Sequence, residues 1–94
     1  MIQHIVMWKF KEGCEAQIET FLKGLEGLYG EIDWIRSLSV RRSAVKDSAY
    51  DAVLITEFDS LEDVARYRDD LRHVAVAALC KEIRVHRAAI DIEK

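Results

Sequence analysis

Proline is absent from the 94 residues, glycine occurs four times and cysteine twice, so breaks between elements must be signalled by other residues. Four scattered glycines build no Gly-rich phosphate loop. Cys14 and Cys80 stand in neither a CxxC nor a Cys/His ligand spacing and have no histidine beside them. Both read as reduced thiols without redox or metal chemistry. The three histidines, His4, His73 and His86, also lack metal-ligand spacing, so neither a metal nor a nucleotide or flavin cofactor is implied. Basic residues number 14 against 17 acidic ones, a net charge of -3, and no overall basic field exists to hold a phosphate backbone. Nucleic acid is not an expected partner. The longest apolar run, Val74 to Cys80, falls far short of the ~20 residues of a membrane span, and no membrane partner is expected. The opening Met1-Ile2-Gln3-His4 lacks the basic, apolar and small-residue succession of a secretory signal, which makes the cytoplasm the expected compartment.

What remains is a chain that is 50% hydrophobic and 33% charged, a composition that folds, and of a length that predicts one domain over residues 1–94. Residues 2–10 alternate, with Ile2, His4, Val6, Trp8 and Phe10 on one face and Gln3, Ile5, Met7 and Lys9 on the other. Both faces are apolar in the middle, which predicts a central strand covered on both sides. Residues 15–29 change to helical spacing, with Ile18, Phe21, Leu22, Leu25, Leu28 and Tyr29 on one stripe and Gly30 placed to end the helix. Residues 34–41 and 50–58 read as strands around a polar loop, Arg42 to Ala49, long enough to be mobile. Asp59 with Glu62, or Ser60 with Asp63, has capping-box spacing and opens a helix to about Arg68. Asp69-Asp70 interrupts it. Leu71, Val74, Ala75, Ala78 and Leu79 then predict a further helix to about Glu82, and residues 83–93 a last strand.

The order of elements predicts an α+β fold of the ferredoxin-like βαββαβ type, with an extra short helix and a four-stranded antiparallel sheet. Helices would cover one face of that sheet. The other, carrying Ile5, Met7, Val53 and Ile55, would be an aggregation liability in a monomer, and a homodimer packing sheet on sheet would cover it through one self-complementary interface.

Three stretches carry a family resemblance: His4-Ile5-Val6-Met7-Trp8-Lys9-Phe10-Lys11; Tyr50-Asp51-Ala52-Val53-Leu54 leading to Glu57-Phe58-Asp59-Ser60; and Tyr67 followed six residues later by His73. In this order and spacing, over essentially the whole chain, the sequence resembles the stress-responsive A/B barrel domain (Dabb) proteins, also called dimeric α/β barrels. The resemblance implies a dimeric α/β barrel. Only some members are enzymes, among them a plant polyketide cyclase that closes an aromatic ring by intramolecular aldol condensation. By motif, His73 matches the cyclase's general base, Tyr67 its substrate-orienting tyrosine and His4 a first-strand histidine lining the same cavity. Two positions depart from the pattern. Asp70-Leu71 stands where the family often has His-Pro, and Ala52 where the cyclase has a third-strand histidine.

On one unbroken helix, Tyr67 and His73 would be separated by about 600 degrees of rotation and would not face each other. A break at Asp69-Asp70, with Asp70 capping the next helix, places His73 in a first turn. There the helix dipole favours the neutral imidazole that a base requires, while nearby acids oppose the shift. The functional reading makes His73 the base removing a proton α to a carbonyl and Tyr67 the donor to the developing enolate oxygen. Against it stands a reading in which both pack at a helix junction.

His4 is by chemistry alone a satisfied core histidine, yet its strand alternation points it the same way as Ala52 and Leu54, toward the helices. Trp8, Phe10, Phe21, Leu25 and Phe58 are either cavity walls or ordinary core; with His4, the residues Trp8, Phe21 and Leu25 are the candidate substrate contacts. His86 has no evident role, and Arg41, Arg42 and Lys46 read as a solvated basic turn. The expected ligand is a small phenolic or polyketide-like molecule, converted by a cofactor-independent cyclase or lyase. The alternative is a non-catalytic stress-response or ligand-binding dimer.

Overall fold

Residues 1–94 are described by a computed structural model. The two-residue period of residues 2–10 becomes β1 (Ile2–Phe10), whose even-numbered side chains are all buried and whose interior odd-numbered ones are half-exposed. The chain continues through α1 (Glu15–Glu26), β2 (Ser37–Arg42), β3 (Ala52–Phe58), α2 (Leu61–Asp69), α3 (Leu71–Ala78) and β4 (Arg84–Glu93). The sheet order is β2-β3-β1-β4, antiparallel throughout, with the most apolar strand inside. This is the ferredoxin-like fold.

The register sorts the side chains into two faces. Opposite His4 stand Thr56 of β3 and Asp91 of β4; opposite Val6, Leu54 and Ala89; opposite Trp8, Ala52 and Arg87. These rows face the helices, and the alternation of His4 with Ala52 and Leu54 holds. On the other face Ile5 lies between Ile55 and Ile90, and Met7 between Val53 and Ala88, with no element of the chain over them. Ile90 is 56% exposed. Nineteen buried apolar residues form one cluster between sheet and helices.

α1 buries Ile18, Phe21, Leu22 and Leu25, as its spacing predicts, but ends at Glu26 rather than 29. Gly24 and Gly27 weaken its last turn, and the chain tightens into i→i+3 bonds from Leu28 N–H to Leu25 O and from Tyr29 N–H to Glu26 O. The tighter winding keeps Leu28 inside and rotates Tyr29 off the stripe into solvent. Gly30 takes the left-handed conformation (φ +92°), after a turn rather than directly after the helix.

β2 begins three residues later than the 34–41 reading. Ile35 N–H closes a turn onto Ile32 O, and Trp34 packs under the Arg66 guanidinium, 4.0 Å from its ring centre. Strand pairing starts only where Arg36 N–H reaches Glu57 O. β3 likewise begins at Ala52. Asp51 ahead of it ties down the base of the 42–49 loop, accepting from Phe10 N–H (2.8 Å) and Lys9 Nζ (3.2 Å). Burial pushes the Asp51 carboxyl up, but these two bonds outweigh it and hold the group below the usual range. The basic turn is also not freely solvated. Arg42 reaches Glu15 and Glu19 of α1 at 2.9 and 3.0 Å.

Of the two candidate caps, Ser60 is the one used: Ser60 Oγ accepts from Asp63 N–H, while the Asp63 carboxylate turns to Arg66 and Asp59 is paired to Arg36. Asp70 caps α3 through Arg72 N–H at 2.9 Å, at the break expected there. α3 departs most from expectation. It ends at Ala78 rather than Glu82, and its stripe Leu71, Val74, Ala75, Ala78 and Leu79 faces outward. The inward side is His73, Val76 and Ala77, because the Asp70 cap sets where the helix starts and Gly24 of α1 admits Val76; a Cβ at Gly24 would meet Val76 Cγ1 at 3.0 Å.

Candidate functional site

Between the helix-side face of β1 and β4 and the inner faces of the three helices lies a cavity of about 300 Å³. Its floor is the even-numbered row of β1, His4, Val6 and Trp8, and its back wall is Phe21 and Leu25 of α1. Trp8 and Phe21 meet edge to face with ring centres 5.2 Å apart, a favoured aromatic geometry. Phe10 and Phe58 are not part of the lining. Phe58 packs behind Tyr67 at 5.2 Å, and Phe10 turns toward the α1 N-terminus.

Tyr67 comes from the last turn of α2 and His73 from the first turn of α3, and the Asp70 break folds them together with ring centres 4.4 Å apart. His4 approaches from below, 6.1 Å from the Tyr67 ring. All six candidate residues, His73, Tyr67, His4, Trp8, Phe21 and Leu25, therefore line one cavity.

The Tyr67 side chain is fully buried, and its hydroxyl has no hydrogen-bond partner within the protein. Burial pushes the phenol well above its ordinary value, with Arg87 opposing, so it stays a donor at any physiological pH. An unsatisfied buried hydroxyl costs about 1–3 kcal/mol, and such groups are rare without a reason. His73 donates from Nδ1 to the Arg68 carbonyl at 3.0 Å, the tautomer that leaves Nε2 as an acceptor. Burial lowers its pKa; the Arg68 bond and Asp70 raise it, while His4 and Arg87 lower it further, and the net direction is down. The opposing pulls foreseen from sequence are thus decided by desolvation. His4 donates from Nδ1 to Asp91 Oδ1 at 2.5 Å.

The sequence reading missed the contribution of the last strand. Asp91, Arg87 and Arg84 line the cavity, as do Arg68 and the buried Cys80, whose thiol burial pushes up. A signal was present: Arg87, Ala89 and Asp91 alternate in phase and are carried opposite Trp8, Val6 and His4 by the register. His86 lies on the open face against Tyr50, 5.1 Å between rings. Cys14 and Cys80 are both free. No three His, Cys, Asp or Glu side chains stand close enough to share a metal ion, and no helix is long and apolar enough to cross a membrane. A wider hollow of about 400 Å³ lies between the α1 N-terminus and the 42–51 loop. It holds no histidine or tyrosine, and Lys9 and Arg42 there are engaged by Asp51, Glu15 and Glu19.

Comparison with known proteins agrees with this architecture. A dimeric protein of unknown function and ferredoxin-like fold from Bacteroides fragilis superposes with a TM-score of 0.91 at 28% identity, covering 99% of this chain and 95% of that one. A Dabb family protein of ferredoxin-like fold from Mesorhizobium loti gives 0.82 at 21% identity over 99% and 95%. The hydroxynitrile lyase of Passiflora edulis gives 0.84 at 11% identity over 97% and 90%, a likeness of fold alone. No curated protein matches the chain. The model of the stress responsive A/B barrel domain matches residues 2–94, and the chain belongs to that family, Dabb.

Proposed function

We propose that this Dabb protein binds a small carbonyl compound in the His73–Tyr67 cavity and removes a proton α to the carbonyl without a cofactor. The observation that carries the reading is the Tyr67 hydroxyl: fully buried, without a partner, and beside a histidine kept neutral. An incoming carbonyl oxygen satisfies that hydroxyl. The proton passes from the substrate carbon to His73 Nε2, and charge developing on oxygen is met by the Tyr67 donor in a water-poor site. His4, oriented by Asp91, and the Trp8, Phe21 and Leu25 walls hold the substrate. Phenolic or polyketide-like molecules that condense through an enolate fit this chemistry, including aldol ring closure of the cyclase kind.

The working form is a homodimer in the cytoplasm, packed through the open face around Ile5, Met7, Val53 and Ile55. The described dimeric relative supports this assembly. Of the non-catalytic alternatives, a dimer whose cavity is filled by side chains is disfavoured by the open space beside both residues, and a ligand-binding dimer is separated from the enzyme by the exchange experiment below.

A thermal-shift screen of β-dicarbonyl and phenolic compounds, followed by deuterium exchange at the α-carbon of any hit, tests the reading. Binding raises the midpoint by mass action and is lost in Tyr67→Phe, and exchange falls at least about 100-fold in His73→Gln. Exchange indifferent to His73→Gln removes the base from the proposal.

A further inference from the structure

Four of the eight arginines, Arg36, Arg42, Arg66 and Arg72, are each held by an Asp or Glu. Of the other four, Arg41 lies on the open face opposite Val53, and Arg68, Arg84 and Arg87 all line the Tyr67–His73 cavity. None of these three guanidinium groups makes a hydrogen bond or ion pair within the chain. The single acid lining the same cavity, Asp91, is already engaged by His4. A protein of net charge -3 thus gathers three arginines, none of them ion-paired, against a single carboxylate in one cavity. Arginine presents a planar fork matched to a carboxylate, and the charges focus an anion toward the apolar interior.

The placement is specific. Arg87 pairs with Trp8 and Arg84 with Phe10, two positions apart on β1. Their partners on β1 stand about 6–7 Å apart on the helix side, and a register shift in β4 brings Arg84 into phase with Arg87. Both are exposed, so they form the lip rather than the floor, while Tyr67 and His73 sit deeper.

We propose that the cavity takes an organic acid: its carboxylate is bound by Arg84 and Arg87 at the lip, and its carbonyl end reaches Tyr67 and His73. This rests on the functional reading above and names its substrate class. The bound acid is an anion when it enters and remains one, so the arginines act as binding residues and leave the proton transfer to His73. Arg87 also acts electrostatically on the two inner groups, lowering the pKa of both the Tyr67 phenol and the His73 imidazole. A carboxylate beside it would weaken that influence.

The matched pair 4-acetylbenzoate and methyl 4-acetylbenzoate separates the parts, because both carry an enolisable methyl ketone and only one carries a carboxylate. Calorimetric titration of the wild-type protein is expected to give at least tenfold tighter binding of the acid. That advantage disappears in Arg84→Gln/Arg87→Gln, in which the ester binds as before, and shrinks as salt is raised. Equal affinity for acid and ester in the wild type overturns the proposal and needs no variant. So does an acid preference that survives the double substitution, absence of saturable binding by both compounds, or displacement of the acid by equimolar inorganic phosphate, which marks an unselective anion site. Ester binding lost in Tyr67→Phe without any acid preference leaves the carbonyl reading standing and removes this one. An acid preference with no effect of Tyr67→Phe leaves only the arginine contact standing and overturns the carbonyl end of the proposal together with the functional reading.

Discussion

On the helix side of the sheet, β1 and β3 set His4 beside Thr56 and Val6 beside Leu54, and every one of these is buried; on the reverse side the same strands set Ile5 beside Ile55 and Met7 beside Val53, half in solvent. The difference is a matter of parity. Adjacent residues of one strand serve a closed core with a polar site and an open apolar plate, so a single step along the chain changes the role of a side chain. Polar groups appear on the closed side only where they meet partners or the cavity. Thr56 Oγ1 donates to His4 O, and His4 donates to Asp91. The open side tolerates Gln3, Lys9 and Arg41 around an apolar centre, the anatomy of an interface with a polar rim.

The contrast can be broken most severely at the closed face. Phe58→Ala, at a fully buried position, is expected to destabilise the protein by about 3–5 kcal/mol in urea unfolding. On the opposite parity, Ile5→Asp with Ile55→Asp is expected to convert a dimer to a monomer in light scattering. Each subunit would keep its fold and its cavity. A dimer that survives the double substitution would place the interface elsewhere.

Tyr67→Phe sharpens the distinction between packing and function within the closed face. Removing an unsatisfied hydroxyl while keeping the ring should raise the stability of the ligand-free protein by about 1 kcal/mol, at the same time as ligand binding is lost. A destabilised variant would show that the hydroxyl is satisfied after all.

The smallest effect concerns His73. Its folded pKa lies below the ordinary 6.5, so between those two values the unfolded chain binds more protons than the folded one. Stability from this group is complete above about 6.5 and declines as pH falls through the folded value. A ring-proton NMR titration should find its midpoint below 6.5, and His73→Gln should flatten the stability profile in that window. An equal slope in both proteins would assign the pH dependence to other groups.

Several of these features were legible in the chain. The apolarity of β1 on both sides put it inside the sheet, the stripe of α1 named its buried residues, and Asp70 marked the turn that joins Tyr67 to His73. The errors share one cause, that local pattern does not set orientation. The five apolar positions on α3 outnumber the three on its other side, yet the smaller set faces inward, because a helix capped at Asp70 and seated on Gly24 has only one azimuth available. Tyr29 left its stripe when the winding tightened by a fraction of a residue per turn.

Sequence by itself determined the element types and order and the parity of β1 and β3, since periodicity and capping are local properties of the chain, and its resemblance to the family singled out the pair Tyr67 and His73. Tertiary structure alone decided that the Tyr67 hydroxyl is left without a partner and that burial lowers the pKa of His73. It also brought Asp91 to His4 and carried Arg84 and Arg87 to the mouth of the same cavity. Those outcomes depend on strand register and on what packs across long stretches of chain. A hydrogen bond across 87 positions has no local signature to read.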